Sequence, residues 1–218
     1  MDSNQRLGGH PLIRPTRLEG SLLRNLRVIL LASAVAGLVG GCLSIKSYVD
    51  PQLPKVGYGD LLVRRDPRPA ALTVAFHRNG EPATFGVSRA REEVRVVFQR
   101  SKLFSAVLDQ PTTDTDAFDV ILDNVGDVGD AMAKGMKTGV TFGGAGSLVT
   151  DGYIFSATFR PAGKEPVTKV YRHAIHSTIG NTDGPSGLTP MGISEAFSKV
   201  VEELVLNLLL DLQKEERI

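Results

Sequence analysis

One cysteine, Cys42, and no tryptophan occur in 218 residues. A lone thiol cannot close a disulfide within the chain, so no covalent staple is available to the fold. Cysteine clusters for zinc or iron–sulfur ligation are excluded on the same count. An excess of one charge is also lacking, with 25 Lys and Arg against 24 Asp and Glu. Nucleic-acid binding needs a basic face to neutralise phosphates, so no nucleic acid is expected as a partner. Long apolar runs are missing too. The run from Val28 to Val39 holds about a dozen apolar or small residues, whereas a bilayer-spanning helix needs roughly 20.

That short run is nevertheless the most informative stretch of the chain. Arg6, Arg14, Arg17, Arg24 and Arg27 precede it against only Asp2 and Glu19, and a basic leader followed by a short apolar segment reads as an export signal. It closes on Val39-Gly40-Gly41-Cys42, where small residues leave an unobstructed backbone for a signal peptidase. The ending resembles the lipobox of bacterial lipoprotein signal peptides. The resemblance implies cleavage between Gly41 and Cys42, a diacylglyceryl group on the Cys42 thiol and acylation of the new amino terminus. Acyl chains at about 0.8 kcal/mol per buried CH₂ hold a protein on a membrane durably. By that family's sorting habit, Leu43 after the cysteine favours the outer membrane, facing the periplasm. Loss of residues 1–41 leaves a chain of weakly acidic balance, since five arginines and two acids leave with them.

Three segments follow from this reading: a signal peptide over 1–41, a lipidated tether over 42–69 and a periplasmic domain over 70–218. Pro51, Pro54, Gly57, Gly59, Pro67 and Pro69 break regular structure in the tether, while Tyr48, Val56, Tyr58 and Leu61 suggest that part of it packs on the domain. Leu72, Val74 and Phe76 alternate with polar or small residues, the period of a strand. Phe118, Val120 and Leu122 repeat that pattern, and Tyr153, Phe155, Ala157 and Phe159 mark a third strand. A turn at Pro161–Lys164 leads into a fourth, Val167 to Ile179.

Ala90, Val94, Val97 and Phe98 share one helical face behind Ser88 as N-cap. The last element is a second helix. Thr189 is placed as its N-cap, Pro190 as its first residue, and Leu188 with Ile193 as a hydrophobic staple. Its apolar stripe runs from Ile193 to Leu212, and Leu206, Leu209 and Leu210 make it wider than one sheet face requires. The expected fold is α+β: a mainly antiparallel sheet with two helices packed on one face.

Catalytic patterns were tested residue by residue. His173 and His176 stand three apart on a strand, so they point to opposite faces and cannot share a metal. Asp123, Asp127 and Asp130 lack the alternation of oxygen ligands that a calcium loop requires. Gly144-Ala-Gly146 has no third glycine in register and no Gly-Lys-Ser/Thr ending for a phosphate. Ser186 lacks the glycine spacing and feeding strand of a nucleophile elbow. No cofactor, metal or enzymatic activity is expected.

The oddest stretch is Lys134 to Asp151. Gly135, Gly139 and Gly143 recur every four residues with Val140 and Phe142 between, spacing that suits close packing of apolar backbone against lipid or a neighbouring chain. The bland alternative is a flexible, partly buried connection before the third strand. Thr138 to Gly143, with Val149-Thr-Asp-Gly-Tyr153, resembles a block of poorly characterised proteobacterial lipoproteins in which a Gly-rich segment runs into a strand. The element order is similar to small periplasmic domains of the curli-secretion and TolB amino-terminal type. Together these imply a membrane-anchored, non-catalytic binding or assembly module with an envelope protein as partner. The alternatives are an oligomeric secretion or pore-forming component that uses 134–151, or a lipid-transport accessory with a groove walled by aromatic strand faces.

Overall fold

The computed structural model describes residues 45–126, 147–179 and 183–218. Seven strands, β1 (Ile45–Val49), β2 (Ala70–Arg78), β3 (Glu81–Pro82), β4 (Val107–Leu108), β5 (Asp116–Val125), β6 (Ser147–Arg160) and β7 (Val167–Ile179), form one sheet. Its order is β1-β7-β6-β5-β2-β3, with β4 beside the start of β2. Two helices, α1 (Val87–Ser101) and α2 (Ile193–Lys214), pack together and against one face. This is the expected α+β fold. The β5–β6–β7 meander and β1 pair antiparallel, while β2 and β5 run parallel. Parallel neighbours need a crossover, and α1 supplies it.

Alternation sets which face is buried. Leu72, Val74, Phe118, Val120, Leu122, Phe155, Ala157 and Phe159 turn inward and are all buried. The intervening Thr73, Ile121 and Val170 on the opposite face are exposed. Phe118 stacks on Phe159 at 4.5 Å and meets the Phe98 ring of α1 edge-on at 4.9 Å. These aromatic strand faces are therefore core and are covered by the helices.

Two further expectations are corrected. From Ile45 onward the expected tether belongs to the domain: Ile45–Val49 is an edge strand paired with β7 over Ile45↔Ile179 to Val49↔Ile175. Residues 50–63 then cross the flank of α2, where Asn207 Nδ2 donates to the Pro54 carbonyl at 2.9 Å and Leu53 and Val56 pack on the core. This strap is why the helix stripe is so wide. Leu206 and Leu209 are buried and Leu210 is partly buried, so the extra leucines serve the protein's own interior.

Helix starts also differ. α2 begins at Ile193, after Gly192, rather than at Pro190. Met191 exchanges two backbone hydrogen bonds of 2.9 Å with Ser47, which holds 188–191 extended and delays the first helical turn. Ile193 is half exposed and forms no staple. α1 starts at Val87, two residues earlier than Ser88 as N-cap allows, with Gly86 at φ 84° in the N-cap position. A Cβ there would stand 3.2 Å from the Phe76 ring, and positive φ favours glycine further.

Candidate functional site

The residues expected to carry function, Gly41 and Cys42 at the cleavage and lipidation point and Gly135, Gly139, Val140, Phe142 and Gly143 in the Gly-rich stretch, lie outside the described residues. So do Asp127, Asp130, Gly144 and Gly146. What the fold describes is where the chain flanking them emerges. Ile45 and Ser147 both pair with Ile179, on opposite sides of β7. Strand spacing of about 4.8 Å sets their backbones about 10 Å apart. Cys42 precedes Ile45 by three residues, and Gly146 immediately precedes Ser147. The other root of the Gly-rich stretch, Val125, is the last residue of β5. Ile45, Ser147 and Ile179 mark this end of the sheet.

Beside it lies a polar seam between β1, β7 and α2. His173 and His176 do point to opposite faces. His173, buried on the inner face, has Nε2 2.8 Å from Glu203 Oε2 and accepts the Ala174 N–H on Nδ1 at 3.0 Å. An accepting Nδ1 places the ring proton on Nε2, which donates to the carboxylate. Lys199 Nζ stands 3.7 Å from the other Glu203 oxygen. His176, on the outer face, has Nδ1 3.0 Å from Thr150 Oγ1 and Nε2 3.1 Å from Asp50 Oδ2. Both rings have both nitrogens engaged in these contacts.

Burial pushes the Asp50 carboxyl up. Hydrogen bonds from His176 and the Gln52 N–H, with the electrostatic attraction of the His176 and His173 rings, outweigh that and hold it below its ordinary value of 3.8. Tyr171 donates to Asp211 Oδ2 at 2.7 Å. Burial, that bond and the Asp211 and Glu215 charges push its phenol well above the ordinary value of 10.0. A cleft of about 290 Å³ opens above the seam, between the strap and the 187–191 loop, with Asp50, Lys55, Val56, Leu188, Met191 and Glu203 among its walls.

Among the described residues no group of three or more His, Cys, Asp or Glu is placed to hold a metal ion. None of their helices is long and apolar enough to cross a membrane. Asp123 accepts the Gly80 N–H and so fixes the β2–β3 turn, which accounts for it without calcium. Ser186 sits exposed in a turn. Glu203 and Asn207 escaped the sequence reading, although two polar residues spaced i, i+4 inside an apolar stripe mark a buried polar contact.

No protein-family model matches the chain, and no curated protein sequence does. Several solved structures are similar in fold. Rare lipoprotein B from Shewanella oneidensis is 12% identical, over 68% of this chain and 93% of that one, with a TM-score of 0.34. A DUF330 protein from Xanthomonas campestris is 10% identical, over 78% and 94%, with a TM-score of 0.36. The PelC dodecamer from Paraburkholderia phytofirmans is 11% identical, over 77% and 96%, with a TM-score of 0.32. All three likenesses are distant.

Proposed function

We propose that the chain is an outer-membrane lipoprotein, cleaved before Cys42 and held by acyl chains on that residue. Its α+β domain then acts in the periplasm as a non-catalytic binding or assembly module for an envelope protein. The row Ile45–Ile179–Ser147 carries this reading beyond the signal sequence. Ile45, shortly after Cys42 in sequence, and Ser147, at the end of the Gly-rich stretch, share one end of the sheet, which supports a reading in which that end faces the membrane. The contacts of the polar seam tie the end of β1 and β6 to β7, and β7 to α2, a structural use that supports the binding-module reading. Mass spectrometry of the membrane fraction tests the anchor. The expected amino-terminal peptide starts at Cys42 and carries three acyl chains; an intact Met1 or an unmodified Cys42 overturns the proposal.

The same row favours a second reading, an oligomeric secretion or pore-forming component. Here Gly135, Gly139, Val140, Phe142 and Gly143 meet lipid or a neighbouring copy. Deletion of 127–146 separates the two readings. If detergent-extracted protein keeps its oligomeric size and membrane behaviour without the segment, the pore reading is lost.

A further inference from the structure

The end of the sheet opposite Ile45, Ser147 and Ile179 displays an apolar doublet that the fold itself does not use. Leu62 is 74% exposed and Val63 87% exposed. Single exposed aliphatics are ordinary, but this pair is held in place. Gln213, in the last turn of α2, accepts the Leu62 N–H at 2.9 Å and donates to its carbonyl at 2.6 Å. The doublet is thus clamped by the helix that forms the core. Beside it opens a cleft of about 280 Å³, walled by Tyr58, Leu61, Val63 and Leu103 and rimmed by Arg100 and Lys102. Arg100 lies over the Tyr58 ring at 4.6 Å, with Glu202 3.8 Å away. Lys102 is exposed and forms no ion pair among the described residues, and no acid lines the cleft.

We infer that this far end is a docking surface for a protein partner that presents an acidic, apolar segment: an aliphatic side chain seats in the cleft against Val63, and adjacent carboxylates meet Lys102 and Arg100. Two observations favour a peptide over a lipid surface. Lys102 on the rim has no ion-pair partner among the described residues, and the doublet lies at the opposite end of the strands from Ile45, near Cys42 in sequence. A pre-held surface loses little freedom on binding, which raises affinity for a given contact area.

The test uses the full-length acylated protein in detergent micelles. The probe is a fluorescent hexapeptide alternating Asp and Leu, with a control in which Lys replaces Asp. The expected result is saturable binding of the acidic peptide alone. Val63→Asp and Lys102→Glu each weaken it by about tenfold or more, as hot-spot losses do, while Val170→Thr on the open sheet face leaves it unchanged. Thermal melts of the variants match the parent, because both sites are exposed. Equal binding of the two peptides, or indifference to both far-end variants, overturns the inference. So does Val63-dependent clustering of phosphatidylglycerol vesicles by proteoliposomes, which would make the surface a membrane contact. Any of these failures together with a lipidated Cys42 removes the docking surface and leaves the anchor reading standing.

Discussion

Glu203 is the residue at which the α2–β7 seam is easiest to break. Its carboxylate is the partner of a buried His173 proton, and a buried donor without an acceptor keeps its full desolvation cost. Glu203→Ala should therefore lower unfolding free energy by about 2–4 kcal/mol in urea titrations, with Glu203→Gln milder because an amide oxygen still accepts. Asp50 adds a pH signature. Its carboxyl lies below 3.8 in the folded protein, so the unfolded chain takes up the proton first as pH falls. Stability contributed by Asp50 is present above that value and is lost through and below it. Asp50→Asn should flatten the acid limb of the urea midpoint below about pH 5. The alkaline side has the opposite sign. Tyr171 keeps its proton when folded but ionises near 10.0 when unfolded, so Tyr171→Phe should reduce the loss of stability above about pH 10.

At the level of elements, the strap and the 183–191 loop decide how the edge of the sheet is closed. Edge strands invite pairing with other chains unless covered. β1 is covered by Met191, bonded to Ser47, and β3 is short and ends in Pro82. Gly184 approaches Tyr48 so closely that an added Cβ would lie 2.0 Å from the ring. Gly184→Ala should push the loop off β1 and lower stability by about 1–3 kcal/mol, read as a fall in Tm and earlier proteolysis at 183–191.

These elements also mark what was legible in the residues. β7 runs from Val167 to Ile179 as its alternation and preceding turn predict, because both signals are local. β1 and the strap were read as a tether, because Pro and Gly break the pattern there while the partners, Ile175 and Asn207, lie more than a hundred residues away. The surplus leucines of α2 held the missing information: a stripe too wide for one sheet needs a second cover. The proposal that Cys42 is an attachment point rests on its flanks alone. The far-end doublet is not legible in the sequence, since Leu62 and Val63 read as exposed only once Gln213 is seen to hold their backbone.

For the molecule as a whole, the sheet order predicts how the domain opens. No disulfide closes it, so cohesion comes from the inner faces of β2, β5, β6 and β7 against the helices. Each fully buried Leu or Phe there contributes about 1.5–3 kcal/mol. Phe118, Phe155 and Phe159 lie in the middle strands and are fully buried, so β5 and β6 exchange amide hydrogens only on global unfolding. β1 has one sheet neighbour, an isolated bridge to Met191 and the strap behind it. Its opening uncovers one flank of α2 without disturbing the β5–β6 pairing. Sub-global opening of this kind has a free energy between zero and the global value. Hydrogen-exchange mass spectrometry of the full-length protein should therefore show 45–63 exchanging as one unit, faster than 153–159 and 118–122. Asn207→Ala removes the 2.9 Å bond to Pro54 and should speed exchange of 45–63 by about five- to tenfold, the equivalent of about 1 kcal/mol, while leaving the central strands nearly unchanged. Equal acceleration in both regions would mean that strap and sheet open together, and that β1 belongs to the cooperative core.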